Sequence, residues 1–277
     1  MVEMGDVCVN LFLIMFAKVN VDVSIFRDTK YEIRNMPDKR THRGPHPADE
    51  KLFDATSIAN LRSAVADLSL LLTKKYAQKS ALKLVGDRFS LAKRQRLAVM
   101  RSACSDQQLA SRNERRVEVE SLTGQSLAID GYNLLITTEA AMSGGLIFKG
   151  RDGCYRDLAS IHGTYRKVAE TIPAVELIGE FLKEIGVGET LWLLDSPVSN
   201  SGRLKTLIGE LAENKGWNWQ VQLLLSPDAE LKKTGLVVAS SDSVVIDDCK
   251  RWVNLVAEII DKRLASARII DVAEAGN

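Results

Sequence analysis

From residue 126 to residue 272 the chain alternates short apolar runs with amphipathic stretches, and no other feature constrains its fold as strongly. The runs 126–130 (SLAID), 190–195 (TLWLLD), 219–225 (WQVQLLL) and 236–240 (LVVAS) read as strands, with 268–272 (RIIDV) as a fifth. Between them Leu177, Ile178, Phe181, Leu182 and Ile185 share one helical face, and residues 204–212 and 252–264 repeat that period. Strands separated by helices require a largely parallel sheet covered on both faces. The expected fold class is a three-layer α/β domain over residues 119–277.

Upstream the pattern is helical. Leu52, Phe53, Ile58, Leu61, Val65, Leu68, Leu71 and Leu72 recur at helical spacing, so residues 47–76 predict one or two helices. Residues 79–87 and 91–104 predict two more, with Ser90 placed to cap the second. This small all-α part spans residues 37–118. It carries 17 basic and 9 acidic residues, whereas residues 119–277 carry 16 basic and 22 acidic. A basic segment joined to an acidic one suggests two modules with different tasks. Lys93, Arg94, Arg96 and Arg101 crowd the last helix, which follows a short helix and a turn. That order is similar to a helix-turn-helix and would suit phosphate contacts, although a solvated helix face explains it equally well.

Residues 1–36 read as an N-terminal extension. The apolar stretch 7–17 follows Glu3 and Asp6 and lacks the positive flank of a secretory signal. It reads as an extra strand or as the product of an upstream start codon, because Met36 also opens a natural beginning. No run reaches the ~20 apolar residues that span a bilayer, so no membrane partner is expected. Cys8, Cys104, Cys154 and Cys249 form no C-x-x-C pair, which argues against a zinc ribbon and fits a reducing, cytoplasmic setting.

The acidic residues mark the expected site. Asp130 ends the first strand, Asp195 ends the second, and Asp242 follows the fourth by two residues. Ligands of open α/β sheets bind beyond the carboxyl ends of the strands. Three carboxylates gathered there repel one another, and a divalent cation offsets that repulsion. Hard oxygen ligands point to Mg²⁺ or Mn²⁺. Singly, each aspartate reads as a helix cap or turn former.

The sequence Ile129-Asp130-Gly131-Tyr132-Asn133 resembles the DGYN opening of the NYN branch of PIN-like nucleases. Leu194-Asp195 resembles their second acidic strand end, residues 239–243 (ASSDS) their S-x-D motif, and Arg156-Asp157 an RD pair at a helix start. The resemblance covers about residues 119–272. It implies metal-dependent hydrolysis of phosphodiester bonds, usually of RNA, with Asp130, Asp195 and Asp242 holding Mg²⁺ or Mn²⁺. Asn133 would orient a metal ligand or phosphate, and Asp157 or Asp247 would complete the shell or hold the attacking water. Many members of that branch carry a second Asp two residues after the motif Asp. Here that position is Val244, and Asp247 is the nearest substitute. The whole chain also resembles an archaeal and bacterial family of unknown function that opens with R-G-x-x-P-x-D, as in Arg43 to Asp49; that likeness supplies no activity.

Candidate nucleic-acid contacts follow. Ser199, Ser201 and Arg203 lie where the second strand leads into a helix, whose N-terminus favours phosphate. Lys149, Arg151 and Arg156 fall in residues 144–156, read as a hairpin or exposed loop. Lys93 and Arg94 represent the basic helix. The four tryptophans read mainly as core. The competing reading is a non-catalytic nucleic-acid-binding or scaffold protein with a degenerate domain. A phosphatase of the D-x-D-x-[TV] type and a dinucleotide-binding oxidoreductase lack their motifs here.

Overall fold

In the computed structural model, which describes residues 42–159 and 163–273, the expected parallel sheet is present. Its strands are β1 (Leu127–Asp130), β4 (Thr190–Asp195), β5 (Trp219–Leu224), β6 (Val237–Ala239) and β7 (Trp252–Val253), in the order β5-β4-β1-β6-β7. Every neighbouring pair is parallel, with Ile129 opposite both Trp192 and Ala239. The chain builds outward from β1 to β4 and β5, then crosses back to β6 on the other side. The switch in direction therefore lies between β1 and β6, where such sheets open a crevice at their carboxyl edge.

Helices α6 (Gly131–Met142), α7 (Thr171–Glu184), α8 (Ser201–Lys215), α9 (Pro227–Lys233), α10 (Ser243–Ile246) and α11 (Leu255–Arg263) surround the sheet. One core cluster joins Ala128, Leu193 and Val238 of the sheet to Leu231 of α9 and Val245 and Ile246 of α10. Trp252 is fully buried in it, and its indole N–H donates to the Arg112 carbonyl. Trp219 packs in tilted contact with Trp192 and Trp217, with ring centroids 5.2 and 4.6 Å away.

The helical part comprises α1 (Asp49–Leu52), α2 (Ala55–Thr73), α3 (Gln78–Arg88), α4 (Lys93–Ser102) and α5 (Asp106–Arg115). Its buried residues, Leu61, Val65, Leu68 and Val99 among them, share one core with Leu146 and Phe148. Those two belong to a second sheet of β2 (Leu146–Lys149), β3 (Tyr155–Arg156) and β8 (Arg268–Asp271). The helical layer is thus seated on the α/β layer through a continuous apolar interface.

Several details differ from the sequence reading. Residues 144–156 do form a hairpin, but Leu146, Ile147, Phe148 and Cys154 are buried rather than exposed, because the helical layer covers them. The run 268–272 pairs with β2 in the second sheet instead of extending the first. Trp252 and Val253 form a strand, and the helix begins only at Leu255. Ser90 does not cap α4. It lies in a left-handed turn at φ 49°, and the side chain of Gln95 accepts from the Ala92 amide in its place. Helix α5 was not expected from periodicity, yet it begins on a reciprocal cap: Ser105 Oγ accepts from the Gln108 amide and Gln108 accepts from the Ser105 amide. The extension 1–36, with its apolar stretch, lies outside the described residues. Among the described residues no helix is long and apolar enough to cross a membrane.

A buried ion network fastens the layers. Arg112 of α5 pairs with Asp152 and, at 2.7 Å, with Asp247, while Arg156 grips Asp152 with two N–H bonds of 2.9 and 2.6 Å. The two arginines hold the Asp152 carboxyl well below the usual carboxylate range despite its burial. Removing one member of such a set strands the opposite charge out of water. Arg112→Ala is expected to lower the urea midpoint by the equivalent of about 3–5 kcal/mol with little change in denaturant slope.

Candidate functional site

The carboxyl edge of the main sheet gathers four aspartates. Asp130 is the last residue of β1 and directly precedes α6. Asp195 ends β4, Asp228 opens α9 just past β5, and Asp242 caps α10 just past β6. Strand polarity brings them together, because parallel strands present all their carboxyl ends on one edge. Gly131 makes the first turn of α6 possible: a Cβ there would stand 2.5 Å from the Leu194 side chain and 2.8 Å from the Leu193 carbonyl. Only glycine lets the helix start press this closely on β4.

The four charges feel one another. Burial pushes Asp130 up to about 7, and the charges of Asp242 and Asp228 push the same way. Burial and Asp228 raise Asp195; burial and Asp242 raise Asp228. Asp130 is almost wholly covered, Asp195 and Asp228 are partly covered, and Asp242 is exposed. The set therefore grades from a buried floor to an open rim. Two hydroxyls and an amide organise it. Ser240 Oγ donates to Asp130 Oδ2 at 2.7 Å and accepts from the Asp242 amide at 3.0 Å. Asn133 Oδ1 accepts from both the amide and the hydroxyl of Ser241, at 2.8 and 3.0 Å. Asp242 Oδ1 accepts from the Val244 amide at 2.7 Å.

Tyr132 lies beside these groups. Its side chain is buried, its hydroxyl has no hydrogen-bond partner among the described residues, and burial together with the Asp195 charge raises its pKa. A buried phenol normally finds an acceptor.

The other residues singled out in the sequence lie elsewhere or are otherwise engaged. Asp157 accepts from Thr137 Oγ1 at 2.8 Å and from the Ala159 amide at 2.5 Å, facing Arg101. Asp247 is held by Arg112 and Gln108. Arg156 is buried and donates from Nε to the Ser241 carbonyl at 2.7 Å, so it supports the Ser240–Asp242 loop from beneath. Arg94 clasps the buried carboxylate of Asp49. Arg151 is bound to Asp106 and the Cys104 carbonyl, and Lys149 to Asp271. Ser199 bridges to Thr164 through backbone bonds, and Ser201 is buried in the first turn of α8. Arg203 lies on that same turn, and Lys93 is exposed at the start of α4. Asp228, Tyr132 and Ser240 carried no role in the sequence reading. Asp228 was legible in principle: Ser226-Pro227-Asp228 stands where a strand ends and proline opens a helix.

The donor set suits a divalent ion. It is all carboxylate oxygen, and Lys232 stands near Asp228. Among the described residues no three His, Cys, Asp or Glu side chains stand close enough together to hold a metal ion by themselves. Mg²⁺ does not need three, since it keeps several waters and binds through one or two carboxylates plus substrate phosphates.

Two family models match the chain. One, described as Domain of unknown function (DUF5616), matches residues 119–258; the other, Protein of unknown function (DUF434), matches residues 60–115. The chain belongs to the DUF5616 family. It is also 31% identical over 204 residues to the uncharacterized protein MJ0935 of Methanocaldococcus jannaschii, covering 73% of this chain and 97% of that one. No solved structure matches the chain.

The electrostatics of Asp130 make a stability prediction. Folding raises its pKa, so between about pH 4 and pH 7 the folded chain keeps a proton that the unfolded chain releases. Stability therefore falls as pH rises through that window. With EDTA present, Asp130→Asn is expected to exceed the parent in stability by up to ~4 kcal/mol at pH 8, and the gap should close towards pH 4. Denaturant titrations across that range measure it.

Proposed function

We propose that this protein is a metal-dependent phosphodiester hydrolase acting on RNA, a nuclease of the PIN-like, NYN type. The observation that carries the reading is the gathering of Asp130, Asp195, Asp228 and Asp242 at the carboxyl edge of a parallel sheet, where burial lifts Asp130 to about 7 and the charges of Asp242 and Asp228 add to the shift. Such an arrangement destabilises the fold unless a cation occupies it. Proteins keep arrangements of this kind at functional sites.

One or two of Asp130, Asp195, Asp228 and Asp242, together with water and substrate phosphate, would hold Mg²⁺ or Mn²⁺, which, when bound, would lower the pKa of a water and offset charge on the transferring phosphoryl group. Asp130 sits deepest and is kept in one orientation by Ser240, so it serves as the fixed ligand. Asp242 is held at the rim by the Val244 amide. Asn133 ties the Ser241 backbone to the first turn of α6, fixing the spacing between the β1 and β6 ends. Tyr132 offers its phenolic proton beside Asp195, where an anionic oxygen of the substrate would receive it.

The missing acid at Val244 is the main departure from the NYN pattern. Asp247 does not replace it, because Arg112 and Gln108 consume its carboxylate. Asp228 supplies the fourth negative charge from a different strand end.

Cleavage of labelled single-stranded and structured RNA should require Mg²⁺ or Mn²⁺ and stop in EDTA. Asp130→Asn and Asp242→Asn should each reduce the rate at least 100-fold, and Asp228→Asn at least tenfold, with thermal melts confirming that the variants fold. RNA binding without cleavage under every metal condition would favour the non-catalytic binding protein.

A further inference from the structure

The helical layer is rich in positive charge, but the structure consumes most of it. Every arginine from Arg43 to Arg116 has a partner: Arg43 holds the buried Glu139, Arg88 holds Asp67, Arg96 holds Asp87, Arg115 binds backbone carbonyls, and Arg116 lies over Trp252. Arg62, Arg94, Arg101 and Arg112 are likewise engaged. Uncommitted charge is left on lysines. Of the five among residues 42–118 that make no ion pair among the described residues, three fall within six residues, Lys74, Lys75 and Lys79, in the turn from α2 to α3 and the start of α3. Between them stands Tyr76, 55% exposed.

The turn itself is unusual. The Tyr76 amide donates to the Leu71 carbonyl and the Lys75 amide to the Leu72 carbonyl, the paired bonds of a helix ending that places one residue in the left-handed region. That residue is usually glycine. Here it is Lys75, at φ 65°. A lysine at this position costs backbone energy that glycine would not. The residue that follows such a turn commonly folds back on the helix, whereas Tyr76 projects into solvent. Both departures keep cationic and aromatic side chains on the surface at the expense of stability.

We infer that Lys74, Lys75, Tyr76 and Lys79 form a contact site for single-stranded nucleic acid, with the lysines on phosphates and Tyr76 stacking on a base. Lysines interleaved with an exposed aromatic are the chemistry of sequence-tolerant strand binding. The inference rests on the nucleic-acid reading of the carboxylate site, but it requires only binding and no catalysis.

The test is fluorescence polarisation of the full chain with labelled oligouridine in EDTA, across a salt series. The combined variant Lys74→Gln, Lys75→Gln, Lys79→Gln should bind more weakly, and its log–log salt slope should be shallower by about 2, at ~0.7 per lost single-strand phosphate contact. Tyr76→Ala should weaken binding about tenfold or more with the slope unchanged. Lys75→Gly should raise the melting temperature yet still make the slope shallower, a combination that loss of folding does not produce. The inference is overturned if the triple variant keeps the parent's affinity and slope. It is equally overturned if the parent binds polyglutamate as tightly as RNA and Tyr76→Ala changes neither. Failure of the catalytic reading looks different: the parent binds through these residues but never cuts when metal is supplied.

Discussion

Like charges collected at one edge of a parallel sheet are the constraint to which the rest of this structure answers. Parallel strands have no choice about where their carboxyl ends lie, so a sequence with an acid near each end concentrates negative charge in one crevice. Asp130 is the extreme case, a buried carboxyl raised further by the charges of Asp242 and Asp228. The Ser240 hydroxyl offsets part of the cost, but among the described residues no lysine or arginine pairs with Asp130.

Holding repelling groups in place requires a stiff surround. Asp242 and Ser240 sit on the loop between β6 and α10, and that loop is gripped from two directions. Asn133 takes the Ser241 amide from the side of α6, and Arg156 takes its carbonyl from beneath. Arg156 is itself fixed by Asp152, which Arg112 shares, and Arg112 reaches across to Asp247 at the end of α10. The helical layer thereby contributes to the geometry of a crevice it does not line. The two segments with contrasting charge in the sequence are linked by burying part of that charge at their common boundary.

The sequence made the main sheet legible because its strands are short apolar runs that end on polar residues, and helical periods separate them. Three of the four acids were legible because each closes or closely follows such a run. Asp228 was not, since it lies four residues past Leu224, across an exposed Leu225 and a helix-opening proline. Arg94 and Arg156 were misplaced for the opposite reason. A basic side chain reads as surface in a linear sequence, and only the fold reveals that Asp49 and Asp152 are buried beside them. Strand β7 was hidden because its two residues run into the apolar face of the helix that follows. The second sheet pairs residues 146–149 with 268–271, a separation that local patterning does not encode.

The central claim is that burial and neighbouring carboxylates raise Asp130 and that a divalent ion relieves it, and its carboxyl carbon reports this directly. A ¹³C NMR titration of labelled aspartate, assigned with Asp130→Asn, should give Asp130 a midpoint near 7 without divalent ions. Millimolar Mg²⁺ should move that midpoint down by at least one unit. A midpoint close to 4, unmoved by Mg²⁺, would contradict the account.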